Sequence, residues 1–232
     1  MFSFPPLTPV VKKLVITLFA AFVVELILQN VAHWSVIQAL ALDPLHLGPQ
    51  TLYQIVTYAL VEDPRSVMSM LVGLLFMWLI LSPFEASFGG RRTLELSLCG
   101  VLGAALGAIL VAQLAPASEF VLYGSQTIAY AGMAVMTQVM RGGRMMFFGV
   151  VPMTTQQLLL LLIGLCVLEY LSSMNHIMLA GSLGAIFAGL GYARYMTRPP
   201  RSPRKQRDSG PRFRVLRGGG GAADNEPPKW LN

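Results

Sequence analysis

Charge is what this chain has least of. Asp, Glu, Lys and Arg together make up 12% of its 232 residues, where a water-soluble domain carries roughly a quarter. That deficit excludes a soluble globular fold and a charge-rich disordered chain alike. Cysteine is nearly absent: Cys99 and Cys166 lie far apart inside apolar runs, which rules out a disulfide framework and a cysteine-based zinc site. Three histidines, His33, His46 and His176, leave little material for histidine chemistry. What is abundant is apolar, 54% of the residues with a mean hydropathy of +0.60. This composition points to an all-α membrane protein, because in lipid a backbone must satisfy its own hydrogen bonds.

Six segments approach the ~20 apolar residues that a helix needs to cross a ~30 Å hydrocarbon core: 14–31, 67–83, 94–114, 126–140, 155–171 and 177–195. The fourth is short for a span. A helix that starts inside the membrane leaves its first turn, and the loop before it, buried in protein where a site can form. Basic residues sort by side: Lys12 and Lys13, Arg91 and Arg92, Arg141 and Arg144, and Arg194 onward fall together, while the other side has Arg65 beside Glu62 and Asp63. Both termini are therefore expected in the cytoplasm. No cleavable signal peptide is expected, since the first apolar stretch is as long as a span and lacks a small-residue cleavage site.

The chain thus divides into a cytoplasmic N-terminus, 1–13, a six-helix membrane domain, 14–196, and a tail, 197–232. The tail is rich in Pro, Arg and Gly and reads as disordered. Its basic half, with Arg201, Arg204, Lys205 and Arg207, suits anionic lipid headgroups at about 1 kcal/mol per basic residue; a solvated tail that fixes topology is the plainer alternative. Trp230 and Leu231 near its end have the makings of a short docking motif. The formal charge of +6 and pI near 9.6 sit mainly in this tail and at helix ends, so they speak of topology and not of nucleic acid.

From Tyr53 to Tyr195 the order and spacing of motifs become specific. Tyr53-Gln54-Ile55-Val56-Thr57-Tyr58 leads into the second span; Trp78, Ser82-Pro83-Phe84-Glu85, Phe88-Gly89 and Arg91-Arg92 mark its exit. A glycine-rich third helix follows with Gly100, Gly103 and Gly107, then Gly124-Ser125-Gln126, then a sixth helix with Gly181, Gly184, Ala185 and Gly189. Small residues four apart let apolar helices approach closely and pack by dispersion, which is the physical use of these stripes in lipid. In order and spacing the stretch resembles the rhomboid family, whose members have a six-helix core and include intramembrane serine proteases. The resemblance implies structural roles for Trp78, Pro83, Glu85, Arg91, Arg92, Tyr130, Gly184, Ala185 and Gly189, with Glu85 anchoring the turn near Arg91 and Arg92.

The same resemblance assigns catalytic positions that can be tested one by one. The oxyanion-holding histidine and asparagine of the second helix fall on Ser69 and Gly73, of which one offers a hydroxyl and the other no side chain. The general base of the sixth helix falls on Ser182, a hydroxyl that cannot take a proton near neutral pH. The nucleophile falls on Gln126 in the register that keeps both Gly124 and Tyr130. Sliding by one residue makes Ser125 the nucleophile but loses the flanking glycines and the tyrosine. Ser125 then needs a base, and His176, 51 residues later, is the candidate, although it lies roughly 9 Å along the helix from the expected base position at 1.5 Å per residue.

Other polar residues invite weaker readings. His33 and His46, in the long first connection, lack Asp, Glu or Cys at ligand spacing, so no metal and no cofactor is expected. Glu25 and Glu169 are carboxyls within apolar spans, where an isolated charge costs ~2.5 kcal/mol or more; a satisfied structural role and a proton relay or substrate-binding network are the two readings. The expected function is a rhomboid-like pseudoprotease of the bacterial inner membrane that binds transmembrane segments of client proteins. The alternative is an active intramembrane serine protease using Ser125 with His176. A small transporter is a third reading, weakened by the lack of an internal repeat or broken helix pair. The topology is checked by reporter fusions: green fluorescent protein at the C-terminus should fluoresce, and alkaline phosphatase joined after Gly48 should be active, with the reverse pattern refuting the sidedness.

Overall fold

The computed structural model describes residues 5–64, 66–114, 120–139, 144–147 and 151–197. Arg65, Arg141 and the tail from 198 onward, including Trp230 and Leu231, lie outside the described residues. The chain divides into a compact unit, Met1–Arg198, and the tail segment Pro199–Asn232.

Six long helices and two short ones follow one another among the described residues. They are α1 (Pro9–Val31), α2 (Val36–Leu40), α3 (Gln54–Thr57), α4 (Val67–Phe88), α5 (Gly90–Leu114), α6 (Gln126–Val139), α7 (Thr155–Ser173) and α8 (His176–Thr197). A 3₁₀ turn, Tyr58–Leu60, continues α3. Between α6 and α7 the chain forms an antiparallel hairpin, β1 (Arg144–Phe147) with β2 (Val151–Thr154), a small addition to the expected all-helical architecture. Four helices, α1, α4, α5 and α8, are long and apolar enough to cross a membrane by length and composition. Lipid is the environment that fits their exposed sides: α1 alone leaves Ile16, Phe19, Val24 and Ile27 uncovered. The chain is an integral multi-pass membrane protein, a helical bundle.

The bundle is built around α6. This helix has 14 residues, and positions 127–137 are all buried, with no face left over for lipid. It packs against α8, α5, α4 and α7. A helix so enclosed needs small side chains on its neighbours, and the sequence supplies them. A Cβ on Gly100 would stand 2.7 Å from Ala131 Cβ, and one on Gly189 2.5 Å from the Ala131 carbonyl oxygen.

The tightest seam joins α5 to α8. A Cβ on Gly184 would stand 2.3 Å from the carbonyl oxygen of Gly103, and one on Gly107 2.4 Å from that of Ala180. Backbone therefore lies directly on backbone, where dispersion and weak Cα–H contacts replace side-chain packing. Gly103 and Gly107 on one helix thus face Ala180, Gly184 and Ala188 on the other, whereas Gly181 and Gly189, the four-apart small residues read from the sequence, lie against Leu122 and Ala131 instead.

The ends of the helices differ from expectation in instructive ways. Helix α4 does not stop at Pro83 but continues to Phe88; proline removes one N–H and bends a helix without ending it when neighbours hold both halves. It ends at Gly89, whose φ of +86° is a conformation that only glycine adopts readily. Glu85 does not pair with Arg91 or Arg92. Its carboxylate instead accepts hydrogen bonds from the Thr8 hydroxyl and from the backbone N–H groups of Val10 and Val11, at 3.0 and 2.9 Å for the latter two. Those N–H groups belong to the first turn of α1, so a side chain 75 residues away in sequence caps that helix and complements its dipole. This explains why α1 begins at Pro9 and not at 14. Arg91 pairs with Glu95 at 3.0 Å on the surface, and the Tyr192 hydroxyl donates to Glu95 and to the Arg92 carbonyl.

At the opposite end the long first connection is stitched down by the motif that precedes α4. Gln54 and Thr57 donate to the carbonyls of Ala39 and Leu40 at 3.2 and 3.0 Å, and the Tyr58 hydroxyl donates to Val101 at 2.8 Å. Leu42 and Leu122 exchange both backbone hydrogen bonds at 2.9 Å. Asn175 caps α8 through the Met178 N–H at 3.0 Å.

The α5–α8 seam yields a paired expectation. Gly184→Val should cost about 1–3 kcal/mol or more through overpacking against the Gly103 carbonyl, whereas Gly191→Ala, where nothing lies within 4 Å, should be neutral or stabilising by up to ~1 kcal/mol. Unfolding in mixed micelles measures both; equal stability of the two variants would refute the close backbone contact.

Candidate functional site

The sequence-derived positions converge on one end of the bundle, away from Lys12, Lys13, Arg91 and Arg92. A cavity of about 400 Å³ opens there, lined by Ser69, Val72, Gly73 and Phe76 of α4, Gln126 and Tyr130 of α6, Leu168 and Glu169 of α7, and Glu62 from the loop before α4. Three of the four family positions, Ser69, Gly73 and Gln126, line this space. Gly73 is open to it, since a Cβ added there would meet nothing within 4 Å.

The chemistry of the cavity is organised by Glu169. One oxygen accepts the Gln126 side-chain N–H at 3.0 Å, and the other accepts the Tyr130 hydroxyl at 3.0 Å. Ser182 of α8 lies beside the same carboxyl. The residue at the nucleophile position is thereby tied to a carboxylate from a third helix, and the residue at the base position stands next to it. Gln126 is folded back to reach it: Gly124, at φ +112°, sits so close that a Cβ there would be 2.2 Å from the Gln126 amide oxygen. Glycine at 124 is required twice over, by backbone angle and by space.

Ser125 belongs to a second arrangement. It is 4% exposed, and its hydroxyl and its backbone N–H both donate to Oε1 of Glu62, at 2.5 and 2.8 Å. Glu62 is held in place because its own backbone N–H donates to Glu25 at 3.2 Å. Glu25, read from the sequence as a carboxyl within a span, is thus bonded to Glu62, a loop residue that lines the same cavity as Glu169 and that the sequence reading did not single out. Nothing in its local sequence marks it, apart from standing between a tyrosine-rich turn and a span. Burial raises the Glu62 pKa above the ordinary carboxylate value, with Asp63 acting in the same direction and the two bonds from Ser125 opposing.

His176 lies at the start of α8, exposed, with its ring centroid 5.4 Å from that of Tyr170 and 6.4 Å from that of Phe120. Its contacts are aromatic, while the Ser125 hydroxyl is directed to Glu62. Of the other histidines, His46 has an acidic neighbour that the spacing argument passed over: its Nδ1 stands 2.9 Å from Asp43, both exposed. Among the described residues no group of three or more His, Cys, Asp or Glu side chains is placed to hold a metal ion.

As chemistry, this is an acceptor-rich cavity. It offers carboxylates and an amide positioned to bind donors, and at the two positions where a proteolytic dyad would sit it has an amide and a hydroxyl, neither of which is a base at neutral pH.

Glu62 makes a pH prediction. A folded-state pKa above the unfolded one means that its contribution to stability is complete below the usual carboxylate range and is lost as pH rises through the raised value. Glu62→Gln keeps an acceptor for Ser125 without the charge, so its melting temperature should gain on wild type as pH goes from about 4 to about 8; a pH-independent difference would contradict the assignment.

A family model for the Rhomboid domain matches residues 49–199, a stretch that includes every lining element of the cavity described above: the loop with Glu62, α4, α6 and α7. No curated protein matches the chain at a significant level.

Proposed function

The chain belongs to the rhomboid family, and from that membership we propose that it is a pseudoprotease, an inactive member that binds transmembrane segments of client proteins in quality control or trafficking. The observation that carries this reading is the Gln126 amide, at the nucleophile position, bonded at 3.0 Å to Glu169, with the Ser182 hydroxyl, at the base position, beside the same carboxyl. Where catalysis needs a hydroxyl facing a base, an amide and a hydroxyl stand at one carboxylate. Loss of the base alone removes most of the activation of a serine nucleophile, and here the nucleophile position carries an amide. A cavity that persists without that machinery suits binding. In this reading the chain spans the membrane six times with both termini in the cytoplasm, resides in a bacterial inner membrane, and rests its basic tail on anionic lipid.

The rival, an active intramembrane serine protease using Ser125 with His176, draws on the nearness of both to the same end of the bundle. Against it stand the Ser125 hydroxyl, given to Glu62 at 2.5 Å, and the aromatic surroundings of His176.

A fluorophosphonate probe separates the two. Purified protein in detergent, beside an active rhomboid as positive control, should show no labelling that depends on Ser125. Labelling abolished by Ser125→Ala would establish an activated serine and overturn the pseudoprotease reading, with His176→Ala as the next variant.

A further inference from the structure

The client-binding reading is the base of this inference, which names the chemistry the cavity selects. The cavity is a cleft: α4 and α7 each pack on α6 and contribute facing walls, with α6 as the floor. Its outer lips are apolar and uncovered, Val72 at 43% and Leu168 at 63% exposure, as a surface met by another apolar helix should be. Its inner wall carries Glu62 and Glu169, and among the described residues no Lys, Arg or His lines it.

Both carboxylates are held in position. Glu169 is bonded to Gln126 and Tyr130, and Glu62 is tethered through its backbone to Glu25 and through its side chain to Ser125. The same end of the bundle has acceptors to spare: Oε1 of Glu25, 2% exposed, has no hydrogen-bond partner among the described residues. Acceptors fixed in advance of binding lose little entropy when a donor arrives.

We propose that the cleft receives a Lys or Arg side chain presented by a client's membrane-spanning helix, with the cationic head between Glu62 and Glu169 and the apolar stem along Phe76 and Leu168. A basic residue within a span is costly while it faces lipid, and it is relieved by a carboxylate pair in a low-dielectric cleft. The long aliphatic stem of either residue lets the head reach inward while the client backbone stays outside the lips. Gly73 leaves the α4 wall open on the route the stem would take, since a Cβ there would meet nothing. Selection is then by charge, with the apolar lips accepting any helix and the carboxylates discriminating among them.

The test uses full-length protein in nanodiscs and fluorescent Leu/Ala helices of ~20 residues that carry a single Lys, Gln or Glu about two turns from the end that meets the cleft. The Lys helix should bind roughly tenfold tighter than the Gln helix, with the Glu helix weakest. Ser69→Lys adds a cation to the cleft wall without touching either carboxylate, and it should bring Lys and Gln helices within about twofold of each other. Equal binding of all three helices to wild type overturns the charge selection and leaves client binding intact. A Lys preference that survives Ser69→Lys also overturns it, because the preference then arises elsewhere. Binding of none of the helices overturns both readings.

Discussion

Backbone lying on backbone between α5 and α8 is the constraint from which the rest of the bundle follows. With Gly103, Gly107 and Gly184 at the seam, the two helices approach more closely than any side chain allows, and the gain is van der Waals contact over a long interface that lipid cannot match. A third helix can then be seated across the pair, and α6 is, buried along 127–137. Its enclosure has a consequence for chemistry. The N-terminus of a 14-residue helix surrounded by protein stops short of the bundle's end, so Gln126 is delivered to the cavity between the helices and Ser125 to a buried position on Glu62.

Carboxylates do two different jobs in this framework. At the basic end Glu85 caps α1 through Thr8, Val10 and Val11, converting what would be orphan N–H groups into charge-assisted bonds and pinning the first helix to the α4–α5 corner. At the far end Glu25 accepts from the Glu62 backbone, and Glu62 and Glu169 line one cavity from the loop and from α7. Each buried carboxylate is expensive, and each is offset by donors that would otherwise serve something else. Glu169 takes the Gln126 amide and the Tyr130 hydroxyl; Glu62 takes the Ser125 hydroxyl and N–H. The polar groups of the cavity are thus directed toward acids, and a site arranged in this way recognises donors and cations more readily than it performs acyl transfer.

Sequence reasoning read the elements whose signal is local. Long apolar runs between basic residues mark α1, α4, α5 and α8, and small residues at helical spacing mark the faces that touch. The shortness of the fourth helix was visible, and so was its implication that the following site is interior. Boundaries were missed where a distant side chain decides them: α1 starts at Pro9 because of Glu85, and α4 runs past Pro83 because its neighbours support it. Glu85 was expected to anchor the turn near Arg91 and Arg92; its bonds to Thr8, Val10 and Val11 were not legible because those partners are near in space and far in sequence. The hairpin β1–β2 left no alternation strong enough to notice.

At the site, residue identity and residue partnership came from different sources. That Gln126 and Ser182 are neither nucleophile nor base is a property of amides and hydroxyls, legible from the chain as soon as the register is known. That Gln126 meets Glu169, that Ser125 faces Glu62 and that His176 lies against Tyr170 and Phe120 are facts about distance between segments far apart in sequence. By itself the sequence determined the membrane class, the small-residue seams and the chemical inventory, because hydropathy, side-chain size and functional groups belong to single residues. Only the tertiary structure decided which donors meet which carboxylates, because in a bundle those pairings depend on how each helix is rotated and how deep it sits, and both are set by packing.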